Sequence, residues 1–187
     1  MAHPSRKAFL PVLGRAPRRL RAARAKGSLA VVKILLVRHA HAVDPTATLA
    51  DEYRYLSEKG RQRIRAVGRA IASKEIAWDA IRTSPLVRAV QTAELLAESL
   101  DFTGVLEATR VLAPGVPARV AAEDLRAAGD AVVVVGHEPD LSSLGATLVA
   151  RPSFPSFKKA EAMLLEDGRP GWRLSPDTLE FERLLVS

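Results

Sequence analysis

Lys33-Ile34-Leu35-Leu36-Val37-Arg38-His39 is the stretch on which the fold turns. Its first five residues form a short apolar run without polar alternation. That is the pattern of a strand buried on both faces, predicted to lie inside a sheet. Ala131 to Val135 (AVVVV) repeats the pattern and is terminated by Gly136-His137. Trp78 to Thr83 (WDAIRT) reads as another strand and Val105-Leu106 as a short one. Glu161 to Leu165 and Trp172 to Leu174 read as two closing strands.

Helical spacing fills the intervals. Ser57 is predicted to cap a helix that carries Ile64, Val67 and Ile71 on one face and ends near Lys74. Ser84-Pro85 is predicted to start a second, with Pro at its first position and Leu86, Val90, Ala93, Ala97 and Leu100 along it. Pro117 to Ala128 forms a third, and Pro139 opens a fourth reaching about Val149. Residues 41 to 56 hold loop-formers: Asp44-Pro45, Thr46, Thr48 and Asp51. Strands alternating with helices predict an α/β fold, a three-layer α/β/α sandwich with a mostly parallel central sheet. A TIM barrel is too long for the available chain.

The 187 residues carry a formal charge of +7, but its distribution is lopsided. Residues 1–32 hold eight of the 28 Lys and Arg and none of the 21 Asp and Glu, so the remaining 155 residues carry 20 − 21 = −1. A near-neutral body lacks the electropositive footprint that nucleic-acid binding requires, so no nucleic-acid partner is expected. Residues 1–31, rich in Arg, Ala and Pro, are expected to be a basic, disordered extension, and residues 32–187 the folded domain. Val32 is a candidate natural start if its codon permits initiation. No apolar run approaches the length of a membrane span. The apolar stretch also leads into Arg38-His39-Ala40-His41 without a small-residue cleavage site. A cytoplasmic protein, monomeric and without a membrane partner, is the expectation. The chain has no Cys, so thiolate nucleophiles and zinc-thiolate sites are excluded.

In open α/β sheets, ligands bind beyond the carboxyl ends of the strands. Those ends here carry Arg38-His39, then Ser84-Pro85 with Arg88 one helical turn on, then His137. Two always-charged, fork-shaped guanidiniums on one rim make an oxyanion site, and a helix N-terminus reinforces it. A histidine in such a cationic pocket is biased toward its neutral form, with a lone pair able to attack phosphorus. His39 is placed to be that nucleophile. His137 could donate to the transferring phosphoryl group.

Arg38-His39-Ala40, Thr83-Ser84-Pro85-Leu86-Val87-Arg88-Ala89-Val90-Gln91-Thr92-Ala93 and Gly136-His137-Glu138-Pro139, in this order, resemble the histidine phosphatase superfamily. The nearest branch is similar to the small phosphohistidine phosphatases of the SixA type. The resemblance runs from about Lys33 to Leu174 and includes Leu56 to Arg61 (LSEKGR), which looks like the segment before the family's first helix. It implies a phosphoglycerate mutase-like fold, His39 as the phospho-accepting nucleophile, and Arg38, Arg88 and His137 around the phosphoryl group. No metal is needed, since the arginines serve as the electrostatic clamp, and no organic cofactor is implied. The implied substrate is a phosphorylated protein carrying phosphohistidine, or a small phosphorylated compound. Two positions depart from the family: Ala40 stands where Gly is common, and Ala108 to Ala122 contain no Asp or Glu where larger members carry a general acid.

Other readings stay open at this stage. A small-molecule phosphomonoesterase of the same superfamily would use Glu107, Glu138 or Asp44 as its acid. A metallohydrolase would read His39-Ala40-His41 as paired ligands, completed by His137 and Asp140. A phosphoryl-binding module without catalysis is the third. Neither G-x-x-x-x-G-K-[ST] nor G-x-G-x-x-G occurs, so a P-loop or dinucleotide enzyme has no support.

Overall fold

Successive residues of the central strands face opposite sides of one sheet, and both sides are covered. The computed structural model describes residues 32–186. The readings made for residues 1–31 therefore lie outside the described residues. The strands are β1 (Lys33–Arg38), β2 (Ala80–Thr83), β3 (Val105–Ala108), β4 (Ala131–Gly136), β5 (Ala162–Glu166), β6 (Arg169–Leu174) and β7 (Phe181–Arg183). The helices are α1 (Glu58–Ala72), α2 (Val87–Ser99), α3 (Ala118–Ala128) and α4 (Asp140–Leu148). The sheet order is β3-β2-β4-β1-β5-β6-β7. β3, β2, β4 and β1 are parallel, and β5 to β7 continue from β1 as an antiparallel meander.

Leu35, Val37, Ile81, Val133, Val135 and Leu164 pack against Ile64, Val67 and Ile71 of α1 and Ala89, Ala93 and Leu96 of α2. The intervening residues Leu36, Val132, Val134, Met163 and Leu165 pack against Ala121, Ala122 and Leu125 of α3 and Leu141 and Leu144 of α4. Both faces of β1 and β4 are thus buried, which is why their sequences are apolar without alternation. The three-layer α/β/α architecture expected from the sequence is the one observed.

Two local features position the site. The α1 N-terminus is capped by Ser57, whose hydroxyl accepts the Gly60 N–H at 3.1 Å. A Cβ on Gly60 would lie 2.0 Å from the His41 carbonyl oxygen, so only glycine lets α1 approach the chain leaving β1 this closely. The second helix corrects the sequence expectation. It begins at Val87 rather than at Pro85, because the Ser84 N–H still bonds the Val135 carbonyl at 2.9 Å and continues the strand ladder. Pro85 and Leu86 make the turn instead. β7 had no counterpart in the sequence reading; it is a three-residue edge strand paired with β6.

Candidate active site

Register brings the strand ends together. Arg38 pairs with Gly136 and Val37 with Val135, while Thr83 also pairs with Val135. The residues that follow, His39, Ser84 and His137, therefore leave three adjacent parallel strands at one level. The His39 and His137 rings lie with centroids 4.9 Å apart. All four residues named from the sequence, Arg38, His39, Arg88 and His137, belong to this end of the sheet.

His39 is 7% exposed. Its Nδ1 lies 2.8 Å from the Ala40 carbonyl oxygen, which accepts only, so Nδ1 carries the ring proton. Nε2 keeps its lone pair, has no partner among the described residues, and is not sealed in the interior. Burial, with the positive charges of Arg88 and Arg38 and the neighbouring His137, holds His39 down at about 3 against the opposing bond to Ala40. The ring is neutral across the physiological range. The Ala40 N–H donates to the Thr92 hydroxyl at 3.1 Å, and that hydroxyl donates to the Arg88 carbonyl at 2.7 Å. The loop that carries His39 is thereby tied to α2. Ala40 adopts no positive φ and is fully buried, so the turn accepts a methyl group in place of the family's glycine.

His137 is 4% exposed and directs Nε2 at the Ser84 hydroxyl, 2.8 Å away. Its Nδ1 is sealed without a partner. An orphaned buried N–H costs more than an orphaned lone pair, so the proton resides on Nε2, facing Ser84. Burial first, then Arg88, lowers His137 to about 4, with Asp51 opposing.

Arg38 donates from Nη1 to the Phe157 carbonyl at 2.6 Å. Phe157 is gripped on its other side by Glu138, whose Oε1 accepts the Phe157 N–H at 3.3 Å. Arg88 is 6% exposed and reaches the rim segment before α1. There its Nη1 donates to the Asp51 carbonyl at 2.7 Å and its Nη2 to Asp51 Oδ2 at 2.9 Å. Sequence reasoning treated Ser84 only as a helix start and Asp51 only as a loop-former. Ser84 was discoverable from its place at a strand end. Asp51 carries no local signal, since its contact is made by loop closure across 37 positions.

The alternative ligand and acid sets separate. His41 turns Nδ1 to the Ser57 hydroxyl at 2.8 Å and supports the α1 cap, apart from the His39–His137 pair. Among the described residues no three His, Asp or Glu side chains converge as a metal site. Glu107 is paired across the sheet with Arg82, and Glu138 accepts the Ser142 hydroxyl at 2.6 Å as well as the Phe157 N–H. Asp44 lies exposed. Asp140 accepts the Gly115 N–H at 3.2 Å and shares with His137 a cavity of about 20 Å³.

Keeping two rings neutral has a consequence for folding. Between the ordinary histidine value of 6.5 and the folded values of about 3 and 4, protons bind only to the unfolded chain. Stability is therefore unaffected above about pH 6.5 and falls as the pH drops from there toward 4 and 3. Each ring contributes a slope of about 1.4 kcal/mol per pH unit. Urea titrations at pH 7, 6 and 5 should show this loss, and His39→Asn should remove roughly half of the steep component. An identical pH dependence in that variant would mean His39 is not held neutral.

The model of the histidine phosphatase superfamily (branch 1) matches residues 34–110, which include Arg38, His39 and Arg88. The serine/threonine-protein phosphatase Pgam5, mitochondrial, of Drosophila persimilis is 33% identical over 69 residues, 37% of this chain and 23% of that protein. The chain thus spans about a quarter of the length of such relatives. An uncharacterized protein of Picosynechococcus is 36% identical over 114 residues, covering 59% of this chain and 68% of its own. The structure of the protein histidine phosphatase SixA complexed with tungstate superposes with a TM-score of 0.72 at 24% identity, over 79% of this chain and 99% of that one. A phosphoglycerate mutase from Bacillus anthracis superposes with a TM-score of 0.54 at 16% identity, over 83% and 92%. No helix among the described residues is long and apolar enough to cross a membrane. With its family match spanning the first His and Arg motifs, and its fold shared with SixA and the mutase, the chain belongs to the histidine phosphatase superfamily.

Proposed function

We propose that this chain is a phosphatase that transfers a phosphoryl group from its substrate to Nε2 of His39 and then to water, and that the substrate is phosphohistidine on a protein. The observation that carries the reading is the state of His39: neutral, with Nδ1 tied to a carbonyl and Nε2 free beside two guanidiniums. In the first step the Nε2 lone pair forms a bond to phosphorus while the bond to the leaving nitrogen breaks, its electron pair staying with that nitrogen. In the second, water attacks the same phosphorus, loses a proton, and inorganic phosphate departs from Nε2. Arg38 and Arg88 offset the charge on the phosphoryl oxygens, and the His137 Nε2–H shares it only by leaving the Ser84 hydroxyl.

The leaving group supports the finer reading. A departing imidazole nitrogen needs no strong enzymic acid, whereas a departing alkoxide does. Glu107 and Glu138 are already engaged, and Arg54 and Arg88 hold the Asp51 carboxyl below its usual range, in the ionised form. The fold shared with a structure of SixA holding tungstate, a phosphate-shaped oxyanion, points the same way. A second reading, a small-molecule phosphomonoesterase, is favoured by Asp140 beside His137.

A side-by-side assay of phosphohistidine peptide, p-nitrophenyl phosphate, 3-phosphoglycerate and a nucleotide tests the choice. The peptide should exceed the alkyl phosphate by at least ~10²-fold in kcat/KM, the range attributed to one general acid. Efficient turnover of 3-phosphoglycerate would replace the phosphohistidine reading with the second one.

A further inference from the structure

The guanidinium of Arg88 is committed before any substrate arrives. Asp51 occupies both of its terminal nitrogens, one through the backbone carbonyl and one through Oδ2. The remaining nitrogen, Nε, carries no bond among the described residues and is not sealed in the interior. Asp51 is itself held from a second side, since Oδ1 accepts from Arg54 Nη1 at 2.8 Å while Arg54 Nε donates to the Val43 carbonyl at 2.6 Å. The segment is braced further. The Val43 N–H bonds the Tyr55 carbonyl at 2.9 Å, and the Leu56 N–H bonds Gln91 Oε1 at 2.8 Å, one turn beyond Arg88 on α2.

We propose that Asp51 is a positioning residue of the phosphoryl site: it stays bonded to Arg88 during catalysis and fixes the guanidinium so that its free Nε edge serves the phosphoryl group. Among the described residues, Asp51 is the sole carboxylate bonded to either pocket arginine. Arg88 is buried beside Arg38 and two neutral rings, so without Asp51 its charge would lack a partner. Arg54 and Arg88 together keep the Asp51 carboxyl below its usual range, so the pair remains ionised. The opposite role, a carboxylate plug that imitates the phosphate and must be expelled by it, fits these contacts less well. Expulsion would break the bonds to Arg88 and Arg54 and also lift a backbone carbonyl off the guanidinium.

The inference rests on the phosphatase reading, and the two can fail separately. If wild-type protein turns over none of the four phosphorylated compounds, the phosphatase reading fails. The Asp51–Arg88 coupling can then still be measured by vanadate binding. In an active protein, Asp51→Ala should lower kcat by roughly 10- to 10²-fold, the scale of a misplaced catalytic group, with a small change in KM. Vanadate inhibition should weaken in parallel with kcat/KM. Asp51→Asn, which keeps one acceptor oxygen, should recover part of the loss. Added to Arg88→Ala, the Asp51→Ala change should cost nothing further, because Asp51 acts through Arg88. A lower KM and tighter phosphate binding with kcat preserved would identify a plug and overturn the proposal. Full additivity with Arg88→Ala would overturn it as well, by assigning Asp51 a separate structural role.

Discussion

His39→Ala is expected to abolish turnover, by at least ~10³-fold in kcat, and to remove an acid-labile phosphoenzyme from rapid-quench samples. The expectation follows from the ring's setting. Nε2 is the one pocket nitrogen that has a lone pair, no partner, and access from the rim. His137 cannot substitute, because its Nε2 is directed at Ser84 and its Nδ1 is sealed. The substitution should leave the fold intact, since alanine removes a ring near a site mouth and not a core hydrophobe. Phosphoenzyme labelling that persists in His39→Ala would move the nucleophile elsewhere.

Arg88→Ala should cost on the order of 10² or more in kcat/KM, and should abolish inhibition by vanadate at concentrations that stop the wild type. In the proposed mechanism Arg88 faces charge that builds up during transfer, so its loss is expected to be felt most in the transition state. It also anchors the rim: its bonds to Asp51 draw residues 51–53 down onto α2. Arg88→Lys should recover only a minor share, because an ammonium cannot hold Asp51 through two nitrogens and still offer a third to the phosphoryl group. A loss below tenfold in Arg88→Ala would remove Arg88 from the transition-state clamp.

Much of this architecture was legible in the chain alone. Apolar runs such as Leu35 to Val37 and Val132 to Val135 announce strands buried on both faces, because a parallel sheet covered by helices leaves no side for polar alternation. The strand-end rule then located Arg38, His39 and His137 without coordinates, and Arg88 followed at helical spacing from the end of β2. Local chemistry set the α1 start at Ser57, where a hydroxyl can cap the helix.

What the tertiary structure decided concerns contacts between residues distant in sequence, which no local pattern encodes. The start of α2 at Val87 depended on Ser84 finding a ladder partner in β4. The proton position on the His137 ring depended on Ser84, 53 positions away. His41 sits two residues from His39 and is chemically its twin, yet it was assigned to the α1 cap by the approach of Ser57 from 16 positions away. Asp51 meets Arg88 because the loop closes back onto α2. Composition and periodicity report which face of an element is buried. Which charged groups end up sharing one guanidinium is set by the path of the loop.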